Sequence, residues 1–133
     1  MSRDNVEIVR AWAAAFNRRD MNALGELAAE DFELKGYMSS MIETTTYRGQ
    51  DGLRKYFEDA DAAWESVEVR LDDVSVFGER FVATGDLHGK GRASGMEVVL
   101  HLAWVGAIVG GRLAWIHTHE SEAAALEAVN VQK

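Results

Sequence analysis

Residues 95–120, GMEVVLHLAWVGAIVGGRLAWIHTHE, decide how the chain folds. Two long apolar runs, 96–109 and 112–119, flank the pair Gly110-Gly111. A Gly-Gly pair between strand-like residues marks a two-residue hairpin, because both central positions of such turns need φ > 0. Counting outward from that turn sets Ile108 against Leu113, Gly106 against Trp115 and Trp104 against His117. The small Gly106 then leaves space for the Trp115 indole. The other face carries His101, Ala103, Val105, Ala107 and Val109 opposite Arg112, Ala114, Ile116, Thr118 and Glu120. Both faces are largely apolar, so both are expected to be covered, one by the chain's own helices and one by a second subunit.

Upstream, the periodicity changes twice. Residues 4–18 read as a helix, since Ile8, Trp12, Ala15 and Phe16 recur at three- and four-residue spacing while Glu7, Arg10 and Arg18 fall off that stripe. Asp20 is a good N-cap for a shorter helix carrying Leu24, Leu27 and Ala28. Residues 32–37 read as a short strand with Phe32 and Leu34 on one side, and 38–48 as a loop with the position of a lid. A third helix starts near Gln50 with Asp51 as its cap and runs to about residue 65, its stripe being Leu53, Tyr56, Phe57, Ala60, Ala63 and Trp64. Alternation of two then takes over: Val67, Val69 and Leu71 against Glu68, Arg70 and Asp72. Residues 81–89 form the next strand, a glycine-rich turn at 90–95 leads into the hairpin, and Ser121 caps a closing helix. The order predicts an α+β fold of one domain, a curved and mostly antiparallel sheet wrapped around N-terminal helices.

Composition narrows the function classes. The 133 residues carry a formal charge of −8, which disfavours a nucleic-acid partner, since phosphate binding wants clustered Lys and Arg. Without cysteine there is no disulfide framework, thiol nucleophile or thiolate metal site. No apolar run is long enough to span a membrane, and the N-terminus lacks the apolar core of a signal peptide, so a cytoplasmic location is expected. Nothing in the sequence calls for a cofactor. His117 and His119 share a strand face, but no third ligand accompanies them and no metal site is expected.

Four segments in order, NVEIVRAWAAAFNRRDMNAL, YRGQDGLRKYF, RASGMEV and GRLAWIHTHESEAAALEAV, make the chain resemble the SnoaL-like branch of the nuclear transport factor 2-like superfold over nearly its full length. That resemblance implies a cone-shaped α+β barrel over residues 1–133, a hydrophobic pocket open at one end, and a homodimer. It also implies that Ala103, Val105, Ile116 and Thr118 point into the pocket while Trp104, Trp115 and His117 face a dimer partner. Relatives include ketosteroid isomerases, polyketide cyclases, epoxide hydrolases and dehydratases, so the fold alone does not set the chemistry. Matching the isomerases residue by residue puts their Tyr, Asp base and protonated Asp at Trp12, Gly36 and Ala103, where all three are lost. The Asp-Arg-Asp arrangement of the epoxide hydrolases has no counterpart.

A four-residue turn at 91–94 would align Thr84 with His101, Asp86 with Val99 and His88 with Glu97, on the face of Ala103 and Val105. Asp86, His88, Glu97 and His101 would then form a polar strip in the cone, with His101 and Asp86 as a candidate general acid–base pair. The expected pocket wall is Trp12, Phe16, Leu34, Tyr56, Thr84, His88, Ala103, Val105, Ile116 and Thr118. Two readings stay open at this point. One is a pocket for a small apolar molecule, with acid–base isomerase, cyclase or hydrolase chemistry on an apolar or polycyclic metabolite. The other is a non-catalytic dimerisation module whose cone is packed shut by Phe16, Leu34 and Tyr56.

Overall fold

A computed structural model of the chain describes residues 4–35, 46–119 and 121–131. The elements run α1 (Asn5–Arg18), α2 (Met21–Leu27), β1 (Ala28–Lys35), β2 (Tyr47–Arg48), α3 (Gly49–Ala63), β3 (Trp64–Phe77), β4 (Arg80–Gly91), β5 (Glu97–Val109), β6 (Arg112–His119) and α4 (Glu122–Val131). Among the described residues six strands form one sheet in the order β2-β1-β6-β5-β4-β3. All neighbours are antiparallel except β1 and β6, which run parallel. The helices α1 and α3 fill the concave side, and the short α4 lies on the convex side, so the expected α+β architecture is the one found. Expected loop 38–48 falls largely outside the described residues, apart from the two-residue strand at its end.

The N-terminal helices are set by local chemistry. Asp4 caps α1 by accepting from the Val6 N–H at 2.7 Å, and Asp20 caps α2 by accepting from Ala23 at 3.1 Å. Between them α1 ends in a Schellman turn: Arg19 N–H reaches the Phe16 carbonyl and Asp20 N–H the Ala15 carbonyl. Such a turn wants glycine, yet Arg19 holds it at φ 57. The conformation persists because its guanidinium lies over the Phe16 and Phe57 rings, 5.6 and 4.7 Å from their centroids, and pairs with Asp61 at 2.9 Å. Asn17 then pins α1 to the sheet, its side-chain amide exchanging two 2.8 Å hydrogen bonds with the Val69 backbone as another strand would. The third helix departs from expectation: it starts at Gly49, Arg48 is its N-cap without a side-chain bond, and Asp51 sits in the first turn holding Arg54.

The central hairpin forms at Gly110 and Gly111, with φ 61 and 81, and its first pairs are Val109 with Arg112 and Ile108 with Leu113. A bulge follows. Ala114 is the extra residue, and beyond it Ala107 meets Trp115, Gly106 meets Ile116, Val105 meets His117 and Trp104 meets Thr118. The expected Gly106–Trp115 and Trp104–His117 pairs are therefore wrong by one residue. One slip exchanges faces. Trp104 turns onto the concave side, while Trp115 and His117 join Ala103, Val105 and Ala107 on the convex side. Gly106 is small for another reason: an added Cβ would lie 2.6 Å from the Phe81 ring and 2.3 Å from the Trp115 carbonyl oxygen.

The core divides accordingly. Ile8, Trp12, Phe16, Leu24, Phe32, Leu53, Phe57, Phe81 and Leu113 are buried between helices and sheet. A second, smaller cluster of Val82, Ala103, Val105 and Ala125 lies under α4, with Trp115 against it. Ser121 starts α4 as expected, accepting from the Ala124 N–H at 3.1 Å. The small residues of β5 thus face the convex side, where they admit a helix rather than a ligand.

Candidate functional site

The concave side retains a cavity of about 70 Å³ between α1, α3 and strands β1 and β3 to β6. Side chains enter it by element period: Val9, Trp12, Ala13 and Phe16 from one face of α1, Tyr56 from α3, and Phe81, Ala83 and Leu87 from alternate positions of β4. Of the expected wall residues, Trp12, Phe16, Leu34, Tyr56, Ile116 and Thr118 line it. Thr84, His88, Ala103 and Val105 do not: they lie on the other face of β4 and β5, whose concave face is supplied by Ala83, Leu87, Leu102 and Trp104. Trp104, expected at a subunit interface, is therefore a cavity residue. Phe16, Leu34 and Tyr56 border this space.

The lining is almost wholly apolar. No Asp, Glu, His, Lys or Arg contributes to it among the described residues. Its polar atoms belong to Thr118, Tyr56 and the two indoles. None of these side chains hydrogen-bonds another described residue. Burial pushes the Tyr56 phenol up to about 12, the nearby Arg19 charge opposing this only in part, so near neutrality it is a hydrogen-bond donor and not a base.

The two candidates singled out in the sequence, His101 and Asp86, do meet, though away from the cavity. The turn between β4 and β5 shifts the register by two residues from that expected, so Asp86 faces His101, Thr84 faces Ala103, His88 faces Val99 and Lys90 faces Glu97. His101 Nδ1 is joined to an Asp86 carboxylate oxygen, and the His101 side chain is 86% exposed. The pair lies on the convex face, with the sheet between it and the cavity. Its neighbour across β3 is Arg70, which in turn holds Glu68 at 2.7 Å.

A second His–carboxylate pair escaped sequence reading. His117 Nε2 lies 2.7 Å from Glu33 Oε2, and Arg48 reaches the other Glu33 oxygen at 3.0 Å. Burial lowers the His117 pKa and the Glu33 bond offsets this only in part, so near neutrality the imidazole is neutral and donates to the carboxylate. Burial alone would raise the Glu33 carboxyl, but the His117 hydrogen bond and the charges of His117, Arg48 and Lys35 hold it below the usual range. The Trp115 and His117 ring centroids are 4.6 Å apart with their planes tilted by 44°, and the Arg80 guanidinium lies 5.4 Å from the Trp115 centroid. The only sequence signal for Glu33 was its place opposite Phe32 and Leu34 in β1. The parallel pairing that brings it to His117 spans 84 residues and has no local signature.

Residues 9–116 match the SnoaL-like domain. The chain belongs to the SnoaL-like family. Solved structures agree on the fold. An NTF2-like protein of unknown function from Burkholderia pseudomallei is 22% identical, with 92% of this chain and 95% of that one covered at a TM-score of 0.78. A Catenulispora acidiphila protein with a ketosteroid isomerase-like fold, solved in complex with trimethylamine, is 23% identical over 91% of this chain and 90% of that one, with a TM-score of 0.76. A SnoaL-like polyketide cyclase, so named provisionally, from Shewanella denitrificans is 10% identical over 96% and 97%, with a TM-score of 0.72. Among curated proteins none matches the sequence. These identities carry the SnoaL-like fold and not a particular reaction. No described helix is long and apolar enough to cross a membrane, and no three described His, Asp or Glu side chains are grouped to hold a metal.

Proposed function

We propose that this SnoaL-like protein binds a compact, mostly apolar small molecule in its cone, and that the cone holds it without acid–base catalysis. The observation that carries this reading is the cavity lining: an open space of about 70 Å³ walled by apolar and aromatic side chains, with no titratable acid or base among the described residues except a tyrosine pushed to about 12. Proton transfer needs a group that changes charge near the working pH and reaches the substrate. Asp86 and His101 lie on the convex face, with the sheet between them and the cavity. The volume favours a small ligand, because pockets that hold drug-sized molecules are roughly 300–1,000 Å³. The trimethylamine of the Catenulispora structure is a molecule of that compact kind.

Thermal-shift and tryptophan-fluorescence titrations test the proposal, with benzene and tert-butanol as compact ligands and a fused four-ring steroid as the bulky one. The compact ligands should raise Tm and perturb Trp12 and Trp104 emission, and the steroid should do neither. Binding of the steroid alone would overturn the proposal. Association into a homodimer belongs to the same reading, with the convex-face residues Trp115 and His117 in the contact and Trp104 withdrawn from it. Sedimentation velocity of Trp115→Ala should show a shift toward monomer, and an unchanged distribution would count against that contact.

A further inference from the structure

Five of the residues that line the cone are aromatic. Trp12 and Phe16 come from successive turns of α1, Tyr56 from α3, Phe81 from β4 and Trp104 from β5, so aromatic side chains enter from both the helical and the sheet wall. Only Phe16 and Tyr56 touch each other, at 6.0 Å between centroids and 49° between planes. Trp12 also meets Phe32 at 5.0 Å, and Phe16 and Tyr56 meet Phe57 at 5.2 and 5.5 Å, whereas Phe81 and Trp104 pair with no other ring among the described residues. An aromatic face carries negative quadrupolar charge, and several faces around one small space form a site for a cation whose charge is spread over alkyl groups. Such a cation needs no hydrogen-bond acceptor, which this cavity does not offer in ionised form. It also meets no Lys, Arg or His in the described lining, and it enters a chain of net charge −8.

The same aromatic cluster already holds one cation. Arg19 stands over Phe16 and Phe57, and its Nη1 is buried without a hydrogen bond to any described residue. The ring faces, Asp61 and the solvent that reaches its 31% exposed side chain offset that charge. Arg19 does not line the cavity; it is paired with Asp61 at 2.9 Å, and its charge still reaches Tyr56.

We infer that the cone is an aromatic cage for a compact quaternary ammonium cation, built from Trp12, Phe16, Tyr56, Phe81 and Trp104. This rests on the reading of the cone as a small-molecule site and names the ligand class for it. The decisive comparison is tetramethylammonium against tert-butanol, two near-spherical probes of five heavy atoms, one charged and one neutral. Both are titrated into the whole protein by isothermal calorimetry, with tetramethylammonium chloride corrected by a sodium chloride blank. The cation should bind about tenfold tighter or more than the alcohol. Trp104→Leu should lower the ratio of cation to alcohol affinity by about tenfold, an unchanged ratio counting against the cage, and Trp104→Phe, which keeps a ring, should retain part of that ratio. Trp12→Leu should act in the same direction, with its circular dichroism spectrum checked for folding. Equal or tighter binding of tert-butanol would overturn the cage and leave the small-molecule site standing. Binding of neither probe would overturn both.

Discussion

Replacing Ala13 by leucine asks directly whether the cone contains space. Ala13 is half-buried on α1, one residue after Trp12, and its side chain borders the cavity. Leucine adds three carbons on a helix that tolerates it well, since Leu is close to Ala in helix propensity. Full burial of those carbons would contribute about 0.8 kcal/mol each, so the ceiling is roughly 2.4 kcal/mol. Side-chain ordering costs about 0.5–1 kcal/mol of that, and imperfect fit removes more, leaving a gain of about 0.5–1.5 kcal/mol. The cavity of about 70 Å³ should be largely consumed. Urea unfolding should therefore show a higher midpoint with unchanged slope, and titration with benzene should no longer shift Tm. In a closed, well-packed core the same change would be overpacking, which costs about 1–3 kcal/mol. A lowered midpoint with ligand response intact would refute the assignment of this space.

The polar pairs and turns give further tests. His101→Ala and Asp86→Asn should leave binding of compact ligands unchanged, because the pair sits on the convex face; a loss of more than about tenfold, measured by the same titrations, would mean that the sheet does not isolate it. Gly106→Ala should destabilise by about 2–4 kcal/mol in urea unfolding, since its methyl would be forced into the Phe81 ring and the Trp115 backbone. Arg19→Ala should cost about 1–2 kcal/mol, losing both ring contacts while keeping the left-handed backbone, and Arg19→Gly should cost less because it relieves that backbone. Acidification should weaken the fold in two windows. His117 and His119 have folded pKa values below their ordinary 6.5, the cause in both being burial first, so the unfolded chain binds more protons and stability falls as pH drops below 6.5. Glu33 is likewise below its ordinary 4.5, and its contribution is lost as pH falls further, through that value and below. Urea midpoints from pH 7.5 down to about 3 should decline, and Glu33→Gln should flatten the lower window.

The elements were legible because each depends on local rules. Asp4 and Asp20 announce two helix starts, the period of two announces β3, and Gly110-Gly111 announces the hairpin. Faces were harder, because they depend on register. A bulge at Ala114 leaves no mark in the apolar run 112–119, yet it exchanges Trp104 with its neighbours and reverses the pocket face of β5. The contrast of Leu100, Leu102 and Trp104 with Ala103, Val105 and Ala107 was a usable signal. Its meaning, that small residues make room for α4, requires knowing that a terminal helix returns to that face. The same limit explains the two histidine pairs. Asp86 and His101 could be brought together from nearby strands, although their face could not be assigned. Glu33 and His117 meet through the parallel contact of β1 with β6, which no spacing in the chain encodes.

Methyl-resolved NMR during titration with tert-butanol locates the site and so tests the central claim most directly. The account predicts shifts at Leu34, Val69, Leu87, Leu102 and Ile116, which line the cone, with none at Val82, Val99 or Val105 on the convex face. Shifts confined to the convex-face methyls would contradict it.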